Sequence, residues 1–191
     1  IFPSLIWKIK TEENTAYLTF DDGPHPEVTS FVLDELKKYG AKATFFCVGK
    51  NLQLYPEIAE RILAEGHQLG NHTFYHLNGW TTKDELYLES IEQTRSLTRG
   101  SNLFRPPYGK IKKSQIRKIQ PRYRIIMWNV LSFDFDKNTS PKKCLQNVTS
   151  RVKPGSIIVF HDSTKAFKNL HYALPGTLKF LQEKQFRTEL L

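Results

Sequence analysis

The sequence predicts an α/β fold, a mainly parallel sheet with helices outside it, either open or closed into a barrel. Three observations carry that expectation. Short apolar runs alternate with longer segments of helical period. Titratable side chains recur just past the C-terminal ends of the runs read as strands. The 191 residues, 39% hydrophobic and 25% charged, suit one domain spanning residues 1–191 with a core of its own.

The first apolar run, residues 16–20, is expected as a strand ending at paired aspartates, and residues 27–39 follow with helical spacing. Residues 43–46 read as the second strand, 56–65 as a helix and 68–71 as a strand. A helix over 83–98, a strand at 103–104, a helix over 113–120 and a strand at 124–128 continue the βαβα rhythm. A helix over 141–151, a strand at 156–160 bounded by Pro154 and Gly155, and a helix over 176–184 complete it. Parallel strands deliver their C-termini to one edge, so Asp21, Asp22, His72, Arg105, Asp134, His161 and Asp162 are expected on one rim. In a barrel of this class that rim is where active sites are built.

Composition excludes several classes. Lys and Arg number 28 against 19 Asp and Glu, a formal charge of +9 that suggests an anionic partner. Aromatics at base-stacking intervals are few and no nucleic-acid motif is recognisable, so the charge reads as a solvated basic face or an attraction to an acidic cell-envelope polymer. No run approaches the ~18 apolar residues of a membrane span, and the chain opens on Ile with no recognisable signal peptide. Cys47 and Cys144 lie too far apart for a zinc ribbon and are expected as buried free thiols. His25, His67 and His171 read as loop or surface residues, with His25 close enough in sequence to Asp22 for a contact on the rim.

Four constellations could carry chemistry. In Thr19-Phe20-Asp21-Asp22-Gly23-Pro24, two carboxylates leave a strand in different directions, so one can bind a cation while the other handles a proton; a plain N-capping turn would need neither role. In Asn71-His72-Thr73-Phe74-Tyr75-His76, the histidines share a face if the segment is helical, and a strand-end Asp would complete a set of two imidazoles and one carboxylate. Such a set leaves positions open for water and substrate, and zinc suits it best, although cobalt, nickel or iron fit the same ligands. In Phe104-Arg105-Pro106-Pro107-Tyr108-Gly109, a stiff turn could hold an Arg bidentate on a carboxylate and aim a free N–H at an oxyanion, or simply close a loop. In Val159-Phe160-His161-Asp162, the imidazole is either a satisfied core group or, if Asp134 reaches it, an oriented proton donor.

Together these motifs resemble the polysaccharide deacetylase family, the metal-dependent deacetylases of chitin, chitooligosaccharides, peptidoglycan and xylan esters. The likeness runs from residue 18 to 162 and includes five motifs in order. It implies a distorted (β/α) barrel with mainly parallel strands, fewer than eight of them. It also implies Asp22, His72 and His76 as metal ligands, Asp21 as the base restrained by Arg105, and Thr73 as a brace for the metal-binding loop. The Tyr108 backbone N–H would form the oxyanion site, and His161, steadied by Asp134, would be the acid. Phe135 and Val159 stand where the family has Trp and Leu; with Pro106 and Pro107 they are expected to line the acetyl pocket.

The expected activity is hydrolysis of an N-acetyl group on an amino-sugar polymer or oligomer by a monomer in the cell envelope or outside the cell. The same centre could instead serve an O-acetyl xylan or another amide, and a non-catalytic polymer-binding module is the rival outside enzymology.

Overall fold

The computed structural model describes residues 2–191. Its first strand, β1 (Thr15–Asp21), shows how the layers form. Ala16, Leu18 and Phe20 point outward into a core shared with helices, while Tyr17 and Thr19 point to the other face. Both faces are covered, as expected of a parallel strand. The chain continues through α1 (Pro26–Lys38), β2 (Ala43–Cys47), α2 (Gly49–Leu54), α3 (Pro56–Ala64), β3 (Gln68–Asn71) and α4 (Asp84–Arg95). Then come β4 (Leu103–Phe104), a 3₁₀ turn at Pro107–Gly109, α5 (Lys113–Ile119), β5 (Arg124–Ile125) and β6 (Val130–Leu131). The last elements are α6 (Pro141–Thr149), β7 (Ser156–His161), α7 (Phe167–Glu183) and β8 (Arg187–Thr188).

Among the described residues, seven strands run in the order β5-β4-β3-β2-β1-β7-β6, every ladder parallel, and the two-residue β8 pairs only with the start of β1. The sheet curls, because Phe46 of β2, Leu103 of β4, Ile126 beyond β5 and Ile157 of β7 pack together, although β4 and β7 lie four places apart in strand order. This is a distorted barrel with helices outside. Its two end strands, β5 and β6, share no ladder, and the N-terminal segment pairs across the gap: Ile6 bridges to Ile126, and Lys8 bridges to Ser156 at the start of β7. Outside the barrel, α1, α3, α6 and α7 cover β1, β2 and β7 with one apolar cluster, and α4 and α5 cover β4 and β5 with another. Among the described residues no helix is long and apolar enough to cross a membrane.

Local differences from the sequence reading have physical causes. Helix α7 begins at Phe167 rather than 176, running through Pro175, because Leu170, Ala173, Leu174, Leu178 and Leu181 form one continuous buried face that outweighs the lost hydrogen bond. The strand expected at 124–128 leaves its ladder after Ile125, since Met127 donates its N–H to Ile6 instead. His67 is a core residue, not a surface one: its ring is buried edge-on to Phe45 and its Nδ1 accepts the Ala43 N–H at 3.3 Å. Cys47 and Cys144 are both buried and free.

Candidate metal centre and active site

Strand β1 ends in Asp21 and Asp22, and the two carboxylates part ways there. Asp21 stays on the barrel interior, 4% exposed. Asp22 turns out at φ +83° into the rim loop, where its carbonyl accepts the Asn51 Nδ2–H at 2.8 Å. The turn is locked from beneath by Asp162, the residue after β7: its Oδ1 accepts the Gly23 N–H at 3.0 Å and its Oδ2 the Thr29 hydroxyl at 2.6 Å. Position 23 must be glycine, since a Cβ there would stand 2.0 Å from Asp162 Oδ2. Burial pushes the Asp162 carboxyl up to about 7 in spite of the Thr29 and Gly23 hydrogen bonds. Asp162 is expected on the rim from its strand-end position but without this supporting role, and Asn51 carries no signal in the sequence at all.

His72 and His76 come together, but not on a helix. The segment after β3 is an irregular loop, with Thr73 at φ +62° and His76 at φ +55°. Thr73 braces it: its hydroxyl accepts the Leu77 N–H at 3.0 Å and its carbonyl the Gly49 N–H at 3.0 Å. The His72 and His76 ring centroids are 5.1 Å apart. His72 Nε2 lies 3.7 Å and His76 Nε2 3.1 Å from Asp22 Oδ1, and the three donor atoms all fall within 4.8 Å of one another. Ligands held ~2.1 Å from a tetrahedral ion stand ~3.4 Å apart, so the cluster has the right size for a divalent cation. Its electronics suit one as well. His72 Nδ1 points at the Arg105 carbonyl at 2.7 Å, which fixes the tautomer with Nε2 free to ligate. Burial pulls His72 down to about 4, leaving it neutral near pH 7. His76 Nδ1 meets the Tyr108 hydroxyl at 3.1 Å. Although burial alone would raise Asp22, the His76 hydrogen bond and the neighbouring His161 and His72 rings hold it well below the usual carboxylate range.

Arg105 crosses the barrel interior from the end of β4. Its Nη1 donates to Asp21 Oδ1 and to Thr19 Oγ1, both at 2.7 Å, while Nη2 and Nε donate to the Met127 and Ile126 carbonyls at 3.0 and 3.2 Å. The grip on Asp21 is therefore a single hydrogen bond rather than the bidentate fork expected, because Thr19 and two backbone carbonyls engage the rest of the guanidinium. Its carbon lies 4.1 Å from the centre of the Phe46 ring. The prolines behind it set a 3₁₀ turn in which Tyr108 stands at φ +60°, and among the described residues the Tyr108 N–H meets no acceptor.

On the other side of β1, His161 closes β7 with its Nδ1 2.7 Å from Asp134 Oδ1, while its backbone N–H donates to Asp134 Oδ2 at 2.7 Å. Burial works against a charged ring, but the charge and hydrogen bond of Asp134, with Asp22 and Asp21 beyond, raise His161 to about 9. The Phe135 ring stands edge-on to His161 with centroids 4.9 Å apart. Of the four positions assigned to the acetyl pocket only Phe135 presents appreciable surface; Val159, Pro106 and Pro107 are buried beneath the rim. Among the described residues, five of the seven non-glycine residues at positive φ, Asp22, Thr73, His76, Tyr108 and Phe133, lie on this rim. Such conformations cost on the order of 1–3 kcal/mol each and cluster where a fold pre-sets geometry for function.

This constellation can be compared with known proteins. The profile of the family described as Polysaccharide deacetylase matches residues 8–123. A peptidoglycan-N-acetylglucosamine deacetylase of Bacillus cereus is 37% identical over 152 residues, which cover 76% of this chain and 55% of that relative, so the chain spans little more than half its length. A chitooligosaccharide deacetylase of Azorhizobium caulinodans is 33% identical over 165 residues, 81% of this chain and 77% of its own. Among solved structures, the Bc1960 peptidoglycan N-acetylglucosamine deacetylase superposes with a TM-score of 0.93 at 32% identity, covering 98% of this chain and 91% of the other. Sequence profile, relatives and fold agree, and the chain belongs to the polysaccharide deacetylase family.

Proposed function

We propose that the protein hydrolyses the N-acetyl group of an amino sugar in a peptidoglycan-type or chitin-type glycan, using one divalent ion, zinc in the first instance, held by Asp22, His72 and His76. The observation that carries this reading is the meeting on one rim of a three-donor cluster, a buried Asp21–Arg105 pair and a partly buried Asp134–His161 pair. Amide hydrolysis needs a nucleophile at neutral pH, a stabilised oxyanion and a proton for a poor leaving group. A bound divalent ion would supply Lewis acidity, easing the ionisation of water and polarising the acyl oxygen. The chain supplies the rest. Asp21, oriented by Arg105, takes the proton of the attacking water. The Tyr108 N–H faces the oxygen on which charge develops. His161, kept protonated by Asp134, gives its Nε2 proton to the departing nitrogen.

The test is acetate release from N-acetylglucosamine oligomers, peptidoglycan and acetyl-xylan, before and after chelation. The reading expects acetate from at least one of the first two, lost on chelation and restored by zinc. Acetate from acetyl-xylan alone, or turnover indifferent to the chelator, would overturn it.

A further inference from the structure

The formal charge of +9 is unevenly placed. Residues 93–182 hold 18 of the 28 cationic side chains and only three of the nineteen acids, namely Asp134, Asp136 and Asp162. Those three are spoken for: Asp134 holds His161, Asp162 holds Gly23, and Asp136 accepts the Asn138 N–H and the Thr139 hydroxyl. The segment forms β4 to β7 and their helices, so its rim loops flank the site on both sides of β1 in strand order.

Two cations stand out at those loops. Lys110 follows the Tyr108 turn, its ammonium 5.2 Å from the Trp80 ring centre and 6.0 Å from that of Tyr108, rings that are 61% and 60% exposed. Lys165 lies past β7 with its ammonium 5.6 Å from the Phe135 ring centre. Neither forms a salt bridge among the described residues. Beside Lys165, a recess of about 440 Å³ also carries Lys137 and Lys168. An ammonium resting on an aromatic face keeps its other donors free, so it is positioned but unspent. The two rings below are contact partners of the site itself, since Tyr108 touches His76 and Phe135 touches His161.

We propose that Lys110 and Lys165 are specificity-determining residues that bind carboxylates on the sugars flanking the one deacetylated, so that the chain prefers an anionic glycan to a neutral one. The proposal rests on the deacetylase reading above. A strand laid over Asp21 and Asp22 would cross from the Trp80 and Tyr108 platform to the Phe135 side and meet a cation at each end. Charge pairs of this kind on a solvated rim discriminate between partners and weaken with salt.

The experiment compares three N-acetylated glycans of equal length: a neutral N-acetylglucosamine oligomer, an alternating N-acetylglucosamine–N-acetylmuramic acid strand free of peptide, and the same strand bearing stem peptides. Wild type at low ionic strength should favour at least one carboxylate-bearing strand by tenfold or more in kcat/KM. Preference for the peptide-free strand assigns the lactyl carboxylate, and preference for the third strand alone assigns the stem. That ratio should collapse to within threefold in Lys110→Gln/Lys165→Gln and in 0.5 M NaCl, through KM, and survive in Lys110→Arg/Lys165→Arg. No preference in wild type, or a preference that outlasts the Gln pair, would overturn the proposal. If wild type releases acetate from none of the three, the deacetylase reading fails instead. Equilibrium binding of the two carboxylate-bearing strands then decides: salt-sensitive affinity for either, lost in the Gln pair, upholds the lysine assignment, and no such affinity ends it.

Discussion

Arg105→Met tests how the rim is held together. The guanidinium is fully buried and satisfied by Asp21, Thr19 and the carbonyls of Ile126 and Met127. Methionine fills much of the same length without charge. It would leave the Asp21 carboxylate, 4% exposed, without its cation, and two carbonyls without their donor. Breaking one side of a buried pair costs about 3–5 kcal/mol, chiefly because an uncompensated charge stays behind. With an m-value of about 2 kcal/mol per M in urea, the unfolding midpoint should fall by about 1.5–2.5 M. The assay is urea unfolding followed by circular dichroism, run on wild type, Arg105→Met, Asp21→Asn and the double variant. Because the double variant removes both charges, it should be more stable than additivity predicts by about 1–3 kcal/mol. A midpoint shift below about 0.5 M, or strict additivity in the cycle, would refute the reasoning.

Asp21→Asn keeps an acceptor for Arg105 but removes the base, so acetate release should drop by about 10²–10⁴-fold while zinc content is unchanged; undiminished turnover would take Asp21 out of that role. Tyr108→Phe strips the hydroxyl from His76 Nδ1 and should weaken zinc binding by about tenfold, the lower end for a supporting hydrogen bond because the tyrosine is exposed; an unchanged affinity in a competition titration would show the contact to be idle. His67 supplies a pH dependence. Burial lowers it to about 4, below its ordinary 6.5, so its contribution is complete above pH 6.5 and is lost as pH falls toward 4. Relative to wild type, His67→Gln should therefore flatten the fall in stability across that window by on the order of 2–3 kcal/mol, and parallel stability curves would contradict this.

Long strands were legible because a buried parallel strand is a mostly apolar run, as in β1, β2 and β7. The two-residue strands β6 and β8 carry no such pattern, and α2 has only six residues with Leu52 as its one buried apolar side chain. The titratable rim was legible because chain order and strand polarity together place it. How its members are joined was not. The spacing of His72 and His76 suggested a helix face, whereas the loop reaches the same proximity through two left-handed residues. The direction of Arg105 depends on the sheet curling until β4 faces β1, a consequence of global packing that no local pattern records.

The central claim is that Asp22, His72 and His76 form one divalent-ion site on which acetamide hydrolysis depends. The most direct measurement is a calorimetric zinc titration of metal-stripped protein, wild type beside His72→Ala, with acetate release followed at each step. Wild type should take up one equivalent and regain activity in proportion, and His72→Ala should bind more weakly by on the order of a hundredfold or more. Full activity in stripped wild-type protein, or equal zinc affinity in the two, would contradict the account.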